Sequence, residues 1–267
     1  MNPLERSLIE KAGYDNGWEN VLEETPDRVL LGSSRHGGHA QIISLPGDDG
    51  YRVSLTPFSL ATGLRHQLED LGFAPPDADT SFWLLPDRAV LASFLRRSAR
   101  IAQALPDQPV KAFAKEMEIA LAEVVGNGTE VERLVRQRVG QNIYRKAQLD
   151  YWGGRCAVTG LDLTGVLRAS HAKPWADCQT DAERLDVFNG FLFAPDLDAL
   201  FDRGLITFDN DGAMQLSSRI GDSQLTALRL VGLKTFRLRW ITPNHLPYLV
   251  WHRDKVFVHV ITRDSGG

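Results

Sequence analysis

His171, Asn189, Asp198 and Asp202 lie in one short stretch of this 267-residue chain. An imidazole that titrates near neutrality is the natural group for taking a proton from water. Two carboxylates at i and i+4 share one helix face and repel each other. A bound divalent cation relieves that repulsion, and hard oxygen ligands favour Mg2+ or Mn2+. An asparagine can fix a histidine by hydrogen bonding, in the orienting role that such constellations need. Together these groups suit hydrolysis of a phosphodiester by an activated water beside a metal ion. Singly, each has a plainer reading: a structural histidine at a strand end, an ordinary Asn-Gly turn, an exposed acidic pair.

The elements that must position them follow from the local pattern. Cys156–Val158 reads as a short strand and Thr159-Gly160 as a turn. Val166 to His171 reads as a second strand that delivers the histidine to its end, and Lys173-Pro174-Trp175 stops it. Asp181 to Asp186 is a polar connector. Asn189-Gly190 turns sharply into Phe191-Leu192-Phe193, a buried strand. Pro195 suits the first turn of a helix that runs to about Arg203, and Gly204 ends it. Leu197, Leu200 and Phe201 form its apolar face. The product is strand, strand, helix.

The order and spacing of RCAVTG, LRASHAKPW and FNGFLFAPDLDALFDRGLITF, preceded by GQNIYRKAQL and followed by PYLVWHRDKVF, resemble the HNH endonuclease family with its ββα-metal fold. The resemblance covers roughly residues 139 to 257. It implies that His171 is the general base, that Asn189 positions the base and its loop, and that Asp198 ligates one divalent ion with help from Asp202 or Ser170. It implies DNA as substrate and restriction or phage defence as the setting. The chain departs from the family pattern at Ser170, where many relatives carry Asp or His, and at Asp198, where the motif ends in His or Asn. The two CxxC pairs that hold structural zinc in many relatives are absent, so no structural zinc is expected. Cys156 is then a core residue, and a Cys178–His171 nucleophile pair is the lesser alternative.

A phosphate backbone calls for cations. Residues 1–126 hold 12 Lys/Arg against 18 Asp/Glu, a net of -6; the remainder holds 18 against 16, a net of +2. The basic side chains concentrate in two helices. One starts at a capping box from Thr129 to Glu132 and carries Arg133, Arg136 and Arg138. Gly140 is expected to interrupt it, and a second helix from Gln141 to about Trp152 carries Arg145 and Lys146. These residues, with Lys173 beyond the base and Arg203 beside Asp202, are the candidate DNA contacts. A solvated surface is the plainer reading of each.

The front of the chain reads as an α+β module over residues 1–103, separated by a helical linker over 104–138 from a nuclease domain with a C-terminal extension over 139–267. A short helix from Pro3 to Lys11 is followed by strands at Arg28–Gly32, Ala40–Leu45 and Tyr51–Leu55. A helix over Phe58 to Leu71, a strand at Phe82–Leu85 and a helix to Arg100 complete it. Between the first two strands, Arg35, His36 and His39 sit in a Gly- and Ser-rich loop suited to a phosphate or a base edge, or simply to a hairpin. Arg96, Arg97 and Arg100 form a further basic cluster. In the tail, Leu225 to Leu230 reads as helix and Lys234 to Trp240 as a strand with alternating cations, while His245 and His252 read as structural.

The whole is an α+β chain with two cysteines, no apolar run of membrane-spanning length and no signal peptide, which points to a reducing cytoplasm. The expected partner is double-stranded DNA, with a homodimer open. Two other classes stay open: a nuclease effector regulated by a ligand or partner, and a DNA-binding protein whose catalytic site has decayed.

Overall fold

A computed structural model describes residues 1–57, 60, 65–67, 69, 82–123, 129–228 and 236–258. The chain divides into two compact units, Met1–Lys111 and Ala112–Gly267. No described helix is long and apolar enough to cross a membrane.

The first unit is built on a five-stranded antiparallel meander: β1 (Asn20–Glu24), β2 (Arg28–Gly32), β3 (His39–Ser44), β4 (Tyr51–Thr56) and β5 (Phe82–Leu85), hydrogen-bonded in chain order. Alternate residues of β2 to β5 are buried, among them Val29, Leu31, Ala40, Ile42, Val53 and Trp83, so one face is apolar. Helices α1 (Pro3–Asp15) and α2 (Arg88–Ala104) cover that face. Trp83 meets Phe94 of α2 with ring centroids 5.3 Å apart, and Trp18 donates to the Leu95 carbonyl at 2.8 Å. Strand β1 is absent from the sequence pattern because Val21, Leu22 and Glu23 are all exposed, so the strand shows no alternation of apolar and polar residues. Most of the expected Phe58–Leu71 helix lies outside the described residues.

Helix α3 (Gln108–Glu123) straddles the division between the units, with Pro109 as its second residue, where a missing N–H costs nothing. Helix α4 (Thr129–Tyr151) is a single rod. Gly140 does not interrupt it, contrary to the sequence expectation. A Cβ at 140 would stand 2.1 Å from the Trp175 ring, so the glycine is there to admit the indole against the helix. The Thr129 capping contact lies outside the described side chains.

In the second unit β6 (Arg168–His171) and β7 (Gly190–Phe193) form an antiparallel pair in which His171 faces Gly190 and Ser170 faces Phe191. Helix α5 (Asp181–Leu185) interrupts the connector between them, and α6 (Pro195–Asp202) follows β7. The expected Cys156–Val158 strand is a turn instead: Cys156 Sγ accepts from the Thr159 and Ala194 amides at 3.4 and 3.3 Å, which curls the chain around the sulfur. A second hairpin, β8 (Ile206–Phe208) with β9 (Met214–Leu216), and helices α7 (Asp222–Ala227) and α8 (Leu246–Lys255) complete the unit. The expected strand through Trp240 is reduced to one isolated bridge, Ala213 to Arg237, within the described residues. Leu238 and Trp240 are buried, and Trp240 stacks on Trp152 at 4.3 Å. Trp152, Phe191, Phe193, Phe201 and Phe208 make an aromatic core. His245 and His252 belong to it. The His252 ring lies flat on Phe201 at 3.8 Å, with Nε2 donating to the Phe201 carbonyl at 3.1 Å and Nδ1 accepting from Thr207 at 2.9 Å.

Two outcomes follow from this packing. Gly-to-Ala in a helix interior ordinarily stabilises by about 1 kcal/mol. Gly140→Ala is expected to do the reverse and destabilise by about 1–3 kcal/mol, because the indole must move; a urea midpoint above that of the parent rules this out. His252 is held neutral, with burial pushing it down to about 4. Its folded pKa lies below the unfolded value near 6.5, so its share of stability is full above about pH 6.5 and is lost as pH falls toward about 4. The loss is about 3 kcal/mol over that window, measurable from urea midpoints at stepped pH.

Candidate active site

The β6–β7 pair is sandwiched. Helix α6 packs on the strands from one side and α4 from the other. Neighbours along a strand project to opposite faces, and the side-chain partners of Ser170 and His171 follow that rule. Ser170, buried, donates its hydroxyl to Asp198 on α6. His171 lies against α4, its ring stacked on Tyr144 with centroids 3.8 Å apart and planes 19° apart. The Trp175 ring meets it edge-on at 6.0 Å.

His171 Nε2 lies 2.8 Å from the Arg184 carbonyl. A carbonyl only accepts, so Nε2 carries the hydrogen and Nδ1 keeps its lone pair. Burial pushes the imidazole down to about 4, which leaves that lone pair unprotonated at neutral pH. Asn189 does not hydrogen-bond His171, contrary to the expected orienting contact. Its buried amide staples the intervening loop: Oδ1 accepts from the Lys173 amide at 2.8 Å, and Nδ2 donates to the carbonyls of Lys173 at 3.1 Å and Glu183 at 3.0 Å. The loop thus fixed is the one that presents the Arg184 carbonyl, so Asn189 acts on the histidine at one remove. Gly190 must be glycine, since a Cβ there would sit 1.9 Å from the Ser170 carbonyl oxygen.

Arg184 carried no signal in the sequence. Its guanidinium donates to the carbonyls of Trp175 at 3.2 Å and Cys178 at 2.5 Å and pairs with Asp181 at 3.2 Å, gathering the loop whose backbone holds the base. Tyr144 was also missed, although Gln148 four residues on, donating to its hydroxyl at 3.0 Å, is a spacing that places both on one helix face. Cys178 is buried, with Sγ donating to the Lys173 carbonyl at 3.4 Å and burial raising its thiol. That is the opposite of an activated nucleophile.

On the α6 side, Asp198 lies in the first turn, where the helix dipole favours a carboxylate, and Asp202 in the last, where it does not. The Asp202 side chain reaches solvent, yet desolvation and the neighbouring Asp198 charge push its carboxyl up to about 6. Among the described residues no three His, Cys, Asp or Glu side chains gather into a metal cage. The donor set still suits a small hard cation. Mg2+ keeps most of its water and takes one or two carboxylates, with phosphate oxygens supplying further ligands. Asp198, Asp202 and the Ser170 hydroxyl offer hard oxygens alone.

The candidate DNA contacts occupy different settings. Arg145 donates to the carbonyls of Leu167 at 2.6 Å and Thr164 at 3.0 Å and ties α4 to the chain leading into β6. Lys173 pairs with Glu183 at 2.8 Å inside the stapled loop. Arg133 pairs with Glu130 at 2.6 Å and Lys146 with Asp150 at 2.9 Å, both pairs on the surface side of α4. Arg136 pairs with Asp181 and lies over the Phe113 ring. Arg203 is exposed at the C-cap of α6, its side chain without a hydrogen bond or ion pair among the described residues. In the first unit His36 is buried rather than displayed: Nε2 bonds the Gly17 carbonyl at 3.1 Å, Nδ1 accepts from the Gly38 amide at 3.2 Å, and the ring meets Trp18. Arg35 lies 3.5 Å from Glu19, which also takes Ser33 and Ser34 as donors, and these contacts carry that carboxyl down to about 2. His39 is exposed.

Replacing the Asn189 amide leaves buried backbone groups without partners, each costing about 1–3 kcal/mol. Asn189→Ala is therefore expected to lower the unfolding midpoint and to speed amide hydrogen exchange at Lys173 and Gln179 while α8 stays protected. Equal protection of those two amides in both proteins contradicts the staple.

No curated protein matches the chain. The sequence model of the HNH endonuclease family, HNH_2, matches residues 156–209. The match takes in the hairpin, the stapled loop and α6, while the first unit stays unassigned. HNH endonucleases act on DNA and generally use a divalent metal ion. With the asparagine staple and the strand–strand–helix unit in place, this stretch of the second unit matches an HNH endonuclease domain.

Proposed function

We propose that the chain is a metal-dependent endonuclease that hydrolyses phosphodiester bonds of double-stranded DNA. The observation that carries this is the tautomer of His171, fixed at Nε2 by the Arg184 carbonyl so that Nδ1 is the basic nitrogen. A water at Nδ1 gives up its proton to the imidazole, and the hydroxide attacks phosphorus. The P–O bond on the far side breaks and its oxygen leaves with the electron pair. In-line displacement places the attacking and leaving oxygens on opposite sides of phosphorus. His171 on the α4 face and the Ser170–Asp198 pair on the α6 face of the same strand end suit that demand. A divalent cation held by Asp198 with Asp202 and Ser170, Mg2+ or Mn2+ by its hard ligands, would supply charge stabilisation at the leaving oxygen.

Of the cations, Arg203 and the surface-paired Arg133, Arg136 and Lys146 are the ones open to phosphate, since exposed ion pairs are worth only about 0–1 kcal/mol and exchange readily. Arg145 and Lys173 serve the scaffold. The first unit is assigned to recognition of DNA or its modified bases, with Arg35 and His39 as the reachable loop residues. Restriction or phage defence in the bacterial cytoplasm is the setting that matches a recognition module ahead of a nuclease. This rests on analogy of organisation. The sparse metal donor set favours one other reading, a DNA-binding domain that has lost catalysis.

Plasmid cleavage separates the two. With Mg2+ or Mn2+ the protein is expected to nick or cut plasmid DNA and EDTA to stop it. His171→Ala is expected to slow cleavage by about 10²–10⁴-fold with DNA binding retained. Absence of metal-dependent cutting on modified and unmodified plasmid alike sinks the nuclease reading.

A further inference from the structure

The hydrogen bond at Nε2 fixes one corner of the His171 ring and leaves it free to pivot about that point. A ring turned about Nε2 would carry Nδ1 away from the water it must deprotonate. The other restraint is Tyr144. Its ring lies nearly parallel to the imidazole at 3.8 Å. Its buried hydroxyl lies 2.8 Å from the Asn189 carbonyl and 3.3 Å from the Ser170 carbonyl, and accepts from Gln148 at 3.0 Å. Gln148 is itself held by a bond to the Val187 carbonyl at 2.7 Å. One phenol therefore touches the base, the residue before the base and the asparagine whose amide staples the loop. A Cβ at Gly190 would stand 2.4 Å from the phenol oxygen, so the glycine of the Asn-Gly pair is what lets the hydroxyl reach both carbonyls.

We propose that Tyr144 is a positioning residue for phosphodiester hydrolysis, its ring the plate that sets the plane of the His171 imidazole and its hydroxyl the clasp that joins the ends of β6 and β7. The role rests on the nuclease reading above. Burial raises the Tyr144 hydroxyl well above its ordinary range, so it stays a neutral donor throughout.

Steady-state plasmid cleavage and proton NMR of the full chain, with His171 assigned by its loss in His171→Ala, test this. Tyr144→Leu removes the plate and is expected to lower kcat by about 100-fold while KM for DNA moves less than about threefold. Tyr144→Phe keeps the plate and is expected to restore kcat to within about tenfold of the parent. The His171 ring protons are expected upfield in the parent and in Tyr144→Phe, from the ring current of the stacked aromatic, and to return downfield in Tyr144→Leu. Undiminished kcat in Tyr144→Leu, equal losses in both variants, or His171 ring protons at unstacked positions in the parent would each overturn the role. Should Tyr144→Leu fail to fold, the parent and Tyr144→Phe spectra still decide. A parent that cuts no DNA overturns the nuclease reading and this role with it, whereas a cutting parent with an equally fast Tyr144→Leu overturns the role alone.

Discussion

A histidine proposed as a base needs one nitrogen tied and the other free, and in this chain the tie at Nε2 traces back to the side-chain amide of Asn189. The amide is fully buried, so water cannot replace its partners. Its bonds to both ends of the Lys173–Glu183 segment close that segment into a loop of defined shape. Only then does the next carbonyl, that of Arg184, stand at a fixed point for Nε2. Arg184 reinforces the same loop from its other end by donating to Trp175 and Cys178. An amide is the one side chain that offers an acceptor and two donors without charge. A carboxylate at 189 would confront two carbonyls, and an aliphatic residue would take a partner from three backbone groups.

The sandwich of the β6–β7 pair between α4 and α6 turns this local arrangement into a two-sided site. Because neighbouring strand residues point in opposite directions, a base at 171 and a hydroxyl at 170 serve different faces without any insertion in the chain. The helix after β7 then presents the Asp198 carboxylate to the Ser170 face, and the long helix before β6 presents an aromatic ring to the His171 face. Gly140 and Gly190 are the two places where side chains had to be removed for this to assemble. Gly140 lets Trp175 approach α4, and Gly190 lets the Tyr144 hydroxyl and the Ser170 carbonyl crowd the turn. The cost of a glycine in a helix, about 1 kcal/mol against alanine, is offset by the indole it admits.

What could be read from the residues alone was what is encoded locally. The strand ending in His171, the Asn-Gly turn and the helix opened by Pro195 are each specified within a few neighbours, and all three stand as expected. The features that could not be read depend on distant partners. Nothing within several residues of Gly140 says that Trp175 will lie against it, so a helix breaker was the natural inference. The turn at Cys156 depends on the amide of Ala194, far along the chain. His36 looked like a displayed loop residue because the carbonyl of Gly17 and the ring of Trp18 that enclose it arrive from another part of the unit. Asn189 was expected to bond the histidine, yet its partners are backbone groups, which a reading by side-chain type does not see.

The same distinction reorders the electrostatics. Counting charges made the stretch around α4 a basic patch of equal members, but a cation's availability depends on what it already holds. Arg145, giving two hydrogen bonds to backbone carbonyls, would leave acceptors unpaired if it turned to a phosphate. Lys146, in an exposed pair one helical turn long, loses almost nothing by the exchange. Among the described residues the Arg203 side chain has no such partner to give up, and it stands next to Asp202, whose carboxyl is raised to about 6 by burial and by Asp198. The Asp202 carboxylate, disfavoured beside Asp198, favours the arrival of positive charge, and a phosphate brought in by Arg203 would add anionic oxygens at the same place. If a divalent ion is held at Asp198 and Asp202 as proposed, it and a phosphate at Arg203 would each lower the electrostatic cost of binding the other, so the acidic pair and the arginine would suit a metal together with a phosphate better than either alone.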